Sequence, residues 1–60
     1  MYTDEQLANA LQEIVDELKE AQDNGWDTSE IIRIWLYQKT FIKRLTGKNV
    51  TFKNWKVVIE

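Results

Sequence analysis

The apolar residues in the first third of this chain recur every three or four positions. They are Leu7, Leu11, Ile14, Leu18 and Ala21, and Ala8 and Val15 lie directly beside them. Residues with this period form a stripe along one side of an α-helix, and a stripe of this width is typical of a helix that packs against another helix. The first third of the chain is therefore predicted to be an amphipathic helix.

Signals for both ends of that helix flank the stripe. Thr3 stands where an N-terminal cap belongs, and Gln6 stands three residues later, as a capping box requires. At the other end, Gly25 is suited to the left-handed conformation that commonly follows a helix. These signals predict a helix over about 4–23.

A second helix is predicted directly after the first. Asp27 is placed as its cap and Glu30 as the capping-box partner, and the sequence Thr46-Gly47 marks its end. The predicted range is about 28–45. Because the connection is so short, the two helices are expected to be antiparallel neighbours in a helical hairpin.

The last segment carries conflicting signals. Val50, Thr51 and Trp55 repeat the spacing of a helix start, which favours a short C-terminal helix and an all-α fold. The β-branched run 57–59 favours a strand instead. A strand or a small hairpin of 50–52 with 55–58 is therefore the alternative, although Lys53-Asn54 is a poor turn for it.

The second helix is apolar over most of its circumference. One broad side carries Ile31, Ile34, Trp35, Phe41, Ile42 and Leu45. A second group lies away from that side and forms a candidate dimer interface: Ile32, Leu36 and Tyr37. Either the last segment covers the whole helix in a monomer, or two hairpins pair into a helical-bundle homodimer. We favour the dimer, because a chain of this length buries only about 60% of its extended surface.

The charges are sorted by half. Residues 1–30 carry nine carboxylates and one lysine, whereas residues 31–60 carry seven bases and one carboxylate. Most acids of the first helix lie opposite its apolar stripe, and we call this group the acidic face: Glu5, Glu13, Asp16, Glu17, Glu20 and Asp23. The face either keeps the protein soluble or binds a basic partner surface. The sorting also favours pairing of the two helices with each other.

The basic half suggests nucleic-acid binding as an alternative function. Its candidate residues are Arg33, Lys39, Lys43, Arg44 and Lys48. They alternate with aromatic residues, and nucleic-acid binders combine such cations with stacking rings. Against this, the second helix starts with the acids Asp27 and Glu30, and the net charge is −2.

Enzyme chemistry, cofactors and metals are not expected. The chain has neither Cys nor His, so disulfides, thiolate sites and the commonest general base are excluded. Ser29, the only serine, is explained as a helix-start residue. No catalytic residue and no metal ligand set is predicted.

The sequence as a whole predicts one small helical domain over residues 1–60. It lacks a membrane-length apolar run and has an acidic rather than a basic N-terminus, so a cytoplasmic location and no membrane partner are expected. The function predicted is a non-enzymatic protein–protein interaction module. It would act through the acidic face as a regulator or inhibitor, in the manner of phage or plasmid accessory proteins.

Overall fold

The computed structural model describes residues 2–60, which form two helices followed by a small β-hairpin. Helix α1 spans Asp4–Asp23 and helix α2 spans Ser29–Thr46. Strand β1 spans Val50–Lys53 and strand β2 spans Lys56–Ile59. The predicted helical hairpin is confirmed.

Helix α1 has the predicted bounds, and the predicted capping box forms. The Thr3 hydroxyl oxygen accepts the Gln6 N–H at 3.1 Å, and the Gln6 side-chain oxygen accepts the Thr3 N–H at 2.9 Å. After the helix, Gly25 has a φ of 72°, and the Trp26 N–H donates to the Ala21 carbonyl at 2.8 Å. Local hydrogen bonds thus explain why the helix begins and ends at these residues.

Helix α2 starts and ends one residue later than predicted. Asp27 is not the N-terminal cap that was predicted: Thr28 holds that position, and its side chain makes no capping hydrogen bond. The Asp27 carboxylate, one residue earlier, instead accepts the Ser29 N–H at 2.9 Å. The reciprocal bond from Glu30 is not found within residues 2–60, so the predicted capping box does not form. The predicted stop signal does end the helix: Gly47 adopts a φ of 76°, and its N–H donates to the Lys43 carbonyl.

The preferred prediction of a short C-terminal helix is wrong, and the alternative, a small hairpin added to the two helices, is confirmed. The segment is an antiparallel hairpin in which Val50 pairs with Ile59 and Lys53 pairs with Lys56. Its turn is Asn54-Trp55, one residue later than the Lys53-Asn54 turn considered from sequence. Both turn residues have positive φ, at 51° and 63°, as a two-residue hairpin turn of the favoured twist requires. The β-branched run therefore decided the conformation of this segment.

The core lies between the helices and one face of the hairpin. Its buried members come from both helices and from β1: Leu11, Val15, Trp35, Ile42 and Val50. The Phe52 ring meets the Trp35 ring edge to face, with centroids 5.2 Å apart. On its other side, Phe52 stacks with Trp55 at 5.8 Å and 21°. Such aromatic pairs add about 0.5–1.5 kcal/mol each beyond the area they bury.

The hairpin covers only part of the apolar surface of α2. Trp35 and Ile42 face the core, but Ile34, Phe41 and Leu45 remain 45–59% exposed. The interpretation in which the last segment covers the whole of α2 is therefore wrong. An uncovered apolar side remains on the molecule.

Candidate interaction surfaces

The acidic face of α1 is exposed along its whole length. Each of its six carboxylate residues is solvent-exposed, and at 1.5 Å per residue they span about 27 Å. Asp23 pairs with Lys19 at 2.8 Å, and Asp16 accepts a hydrogen bond from Gln12 at 2.9 Å. The other four have no ion pair within residues 2–60. The structure thus brings the predicted acidic residues together on one surface.

The acidic and basic halves scarcely neutralise each other through direct ion pairs. In the part of the chain that the structure describes, Asp4 and Lys48 form the one ion pair between the halves, at 2.6 Å. It joins the start of α1 to the segment after α2. The other ion pair lies within α1. The expected flanking ion pairs between the two helices are absent within residues 2–60, so most charged side chains in this range make no ion pair.

The five candidate nucleic-acid residues do not form one surface. Lys43 donates to the Asn49 side chain at 2.9 Å and to the Gly47 carbonyl at 3.4 Å, so it serves the end of α2. Lys48 is held by Asp4, and Lys39 is half-buried on another side of α2. Of the five residues, only Arg33 and Arg44 line the same surface hollow.

That shallow hollow lies on the outer side of α2 and measures about 430 Å³. It is lined by Arg33, Leu36, Tyr37, Thr40, Phe41 and Arg44. Of the predicted dimer-interface residues, Leu36 and Tyr37 line this hollow and are 53% and 72% exposed. Ile32 is 42% exposed but is not part of the hollow. All three predicted interface residues are therefore exposed, although only Leu36 and Tyr37 line the hollow.

An open groove between the two helices was not predicted. Its volume is about 470 Å³, and no hairpin residue and no charged residue lines it. The lining consists of Tyr2, Gln6, Leu7, Ala10, Leu11, Ile14, Gln38, Phe41, Ile42 and Leu45. We call the side of the molecule that carries this groove the open face. Its apolar residues are visible in the sequence, but the pattern alone does not say that nothing covers them.

Gln12 was also missed, and it joins α1 to the hairpin. Its side-chain nitrogen donates to the Trp55 carbonyl at 2.7 Å, and its side-chain oxygen accepts the Val57 N–H at 3.0 Å. The amide thus pairs with the backbone of β2 much as a neighbouring strand would. The only signal in the sequence is an uncharged polar residue at the border of the apolar stripe, one turn from Ala8 and Val15.

A carboxylate whose pKa is shifted by hydrogen bonds, Asp27, lies just before α2. Hydrogen bonds from the backbone N–H and the hydroxyl of Ser29 lower the pKa of Asp27 below its ordinary value of 3.8. Within residues 2–60, no group of three or more carboxylate residues is placed so that it could hold a metal ion. No helix in the same range has both the length and the hydropathy that crossing a membrane requires.

Comparison of the chain with protein-family models, with curated proteins and with solved structures found no match. Its function is therefore argued from the surfaces themselves.

Proposed function

We propose that this protein is a small interaction module, a regulator or inhibitor, that binds a basic surface of a partner protein through the acidic face of α1. The observation that carries the proposal is the exposed row of six carboxylates, of which only Asp23 is paired with a cation within residues 2–60. Such a row creates a negative potential that attracts and orients a positively charged partner.

Helix α1, which carries the acidic face, is anchored by contacts at its start and at its middle, which supports a binding role. The capping box fixes the start of α1, and the Asp4–Lys48 ion pair ties that start to the end of α2. The Gln12 amide fixes the middle of α1 to the hairpin. A surface that is ordered before binding loses little conformational entropy on binding, so more of the contact energy appears as affinity.

The test reverses two charges of the acidic face that make no contact to the rest of the fold. Glu5→Lys with Glu20→Lys should abolish capture of the partner from the native cell while leaving helicity unchanged. The matched control is Glu30→Lys with Glu60→Lys, which changes the net charge equally and also alters one residue in a first helical turn. The control should capture the partner as the natural chain does.

Salt provides a second criterion for the same experiment. Capture through exposed charges should weaken as ionic strength rises, because the screening length falls from about 10 Å at 0.1 M to about 3 Å at 1 M. If the Glu5→Lys, Glu20→Lys chain retains the same partner as strongly as the control, the acidic face is not the binding surface.

Nucleic-acid binding is the second candidate, favoured by the hollow in which Arg33 and Arg44 flank Tyr37 and Phe41. It predicts retention on DNA or RNA at about 50 mM salt that falls steeply with added salt. Arg33→Glu with Arg44→Glu should abolish that retention, whereas Lys53→Glu with Lys56→Glu should not. Absence of retention at low salt would discard this function.

A further inference from the structure

We propose that the open face binds a second copy of this chain, with α1 of each copy lying against α2 of the other. This inference goes beyond the proposed function and concerns a neighbouring side of the molecule, whose edge shares Glu13 and Glu17 with the acidic face. It also replaces the interface expected from the sequence, because the groove rather than Ile32 lies at its centre.

The open face has an uncharged floor between two edges of opposite charge. At 100° per residue, Glu13 and Glu17 lie on α1 beside the groove residues Ala10 and Ile14. Phe41 of α2 lines both the groove and the arginine hollow. The edges of the face are therefore acidic along α1 and basic along α2, where Arg33 and Arg44 lie.

This order of charges selects one way for two copies to pair. A two-fold axis parallel to the helices places α1 opposite α2 of the second copy, so each acidic edge meets a basic edge. A two-fold axis perpendicular to the helices, in the plane of the interface, instead places α1 opposite α1 of the second copy and brings like charges together. Opposite charges across an interface fix its register, whereas like charges are penalised. A second copy thus fits the open face in the first arrangement.

The acidic residues of α1 and the basic residues of α2 also lie at similar positions along the helix axis. Asp4 is level with Lys48, which it contacts, and Asp23 is level with Ser29 at the short connection. Counting residues along both helices from these two pairs places Glu17 at the same position along the helix axis as Trp35. The same count places Glu13 at the same position as Lys39. A parallel two-fold axis preserves these levels between copies.

The remaining offsets are short. Arg33 is two residues, or about 3 Å, from the level of Glu17, and Arg44 is five residues, or about 7.5 Å, from the level of Glu13. The long arginine and glutamate side chains span these offsets. Each edge therefore has a partner within reach on the second copy.

The size of the open face also suits a second copy. The molecule measures 36 × 18 × 17 Å, and a specific interface takes about 800 Å² of accessible surface from each partner. A docked copy must therefore cover most of one long face, including the exposed apolar residues Ile34, Phe41 and Leu45. A single foreign helix would fill the groove but would need its own acidic and basic edges. A second copy already carries both.

The first test measures mass in solution. Light scattering at tens of micromolar should give twice the chain mass of 7.2 kDa. Glu13→Lys with Glu17→Lys should be monomeric, as should Arg33→Glu with Arg44→Glu, because each change makes the facing edges alike. Mixing the two variants should restore a dimer, since both pairs of edges are then opposite in charge.

Two results would overturn the proposal. One is a 7.2 kDa particle for the natural chain, and the other is a dimer whose mass none of these edge variants changes. The Glu5→Lys, Glu20→Lys chain should remain dimeric although it loses the partner. Failure of self-association and failure of partner binding are therefore distinguishable, even though Glu13 and Glu17 belong to the acidic face.

A second test reads the arrangement of the helices directly. The chain contains no Cys, so introduced thiols are the only ones present. Ala10→Cys and Gln38→Cys both line the groove, on α1 and α2 respectively, and lie within about 6 Å of the same level. A short bifunctional thiol reagent should cross-link a mixture of the two variants efficiently and each variant alone poorly. Efficient cross-linking of Ala10→Cys with itself, without a mixed product, would show that α1 faces α1 and would contradict the proposal.

Discussion

In the core between the helices and the hairpin, Leu11 and Val15 keep at most 2% of their surface exposed. On the open face, Phe41 and Leu45 keep 55% and 59%. The residue types are alike, and both groups follow helical spacing. What differs is whether another element of the chain reaches them. Apolar periodicity shows which side of a helix avoids water, but the rest of the fold decides whether that side is covered.

The largest difference in stability is expected when a leucine is replaced by alanine once in the core and once on the open face. Leu11→Ala should lower the free energy of unfolding by about 2–5 kcal/mol, because it leaves a cavity in a packed core. Leu45→Ala should lower it by less than about 1 kcal/mol at concentrations where the chain is monomeric. Urea denaturation followed by circular dichroism measures both. Equal losses would mean that the open face is packed in solution.

The Gln12 contact can be tested against an amide on the open face. Gln12→Met should cost about 1–3 kcal/mol, since it removes the hydrogen bonds to the Trp55 carbonyl and the Val57 N–H while keeping the volume. Gln38→Met, in the lining of the groove, should change stability by less than about 0.5 kcal/mol. If the two variants unfold at the same urea concentration, Gln12 does not hold the hairpin.

The turn of the hairpin provides a smaller test of the covered side. Trp55 has a φ of 63°, a conformation that costs a residue with a side chain about 1–2 kcal/mol but suits glycine. Trp55→Gly and Trp55→Ala both lose the ring and its stacking. The glycine variant should nevertheless be the more stable by about 1 kcal/mol, as thermal unfolding would report. A more stable alanine variant would contradict the turn geometry.

The smallest effect is expected at the connection between the helices, which belongs to neither side. The pKa of Asp27 is lowered in the folded state, so the ionised carboxylate stabilises the fold. That contribution is fully present above pH 3.8 and is lost as the pH falls through the folded-state pKa.

Asp27→Asn keeps a side-chain oxygen but cannot ionise. The natural chain should therefore be the more stable of the two at neutral pH, and the difference should shrink at lower pH. Urea titrations at several pH values check this. A difference that grows on acidification would have the wrong sign.

The sequence predicted those parts of the fold that depend on near neighbours. The bounds of α1 and its Thr3–Gln6 capping box follow from residues within one turn of each other. The hairpin turn was misplaced because Trp55 is an unusual residue at positive φ. It is held there by contacts with Phe52 and with Gln12, which lies 43 residues away in sequence.

The same distinction applies to the candidate surfaces: those formed by residues close in sequence were predictable, and those formed by distant segments were not. The acidic face was predictable because every member belongs to one exposed helix side. The groove and the separation of the basic residues were not, because they depend on where the hairpin and the loop after α2 lie. Lys43 and Lys48, for example, are engaged by Asn49 and Asp4, which sequence spacing does not reveal.

The Gln12 contact has a consequence for how the protein opens. An isolated two-stranded hairpin is marginally stable at best in water, so this one depends on α1 for its order. The Val57 N–H should therefore exchange with solvent deuterium only when α1 and the hairpin separate, which breaks a contact between residues 45 positions apart. Forming it closes most of the chain into a loop, so folding should be slower than for a helical hairpin alone.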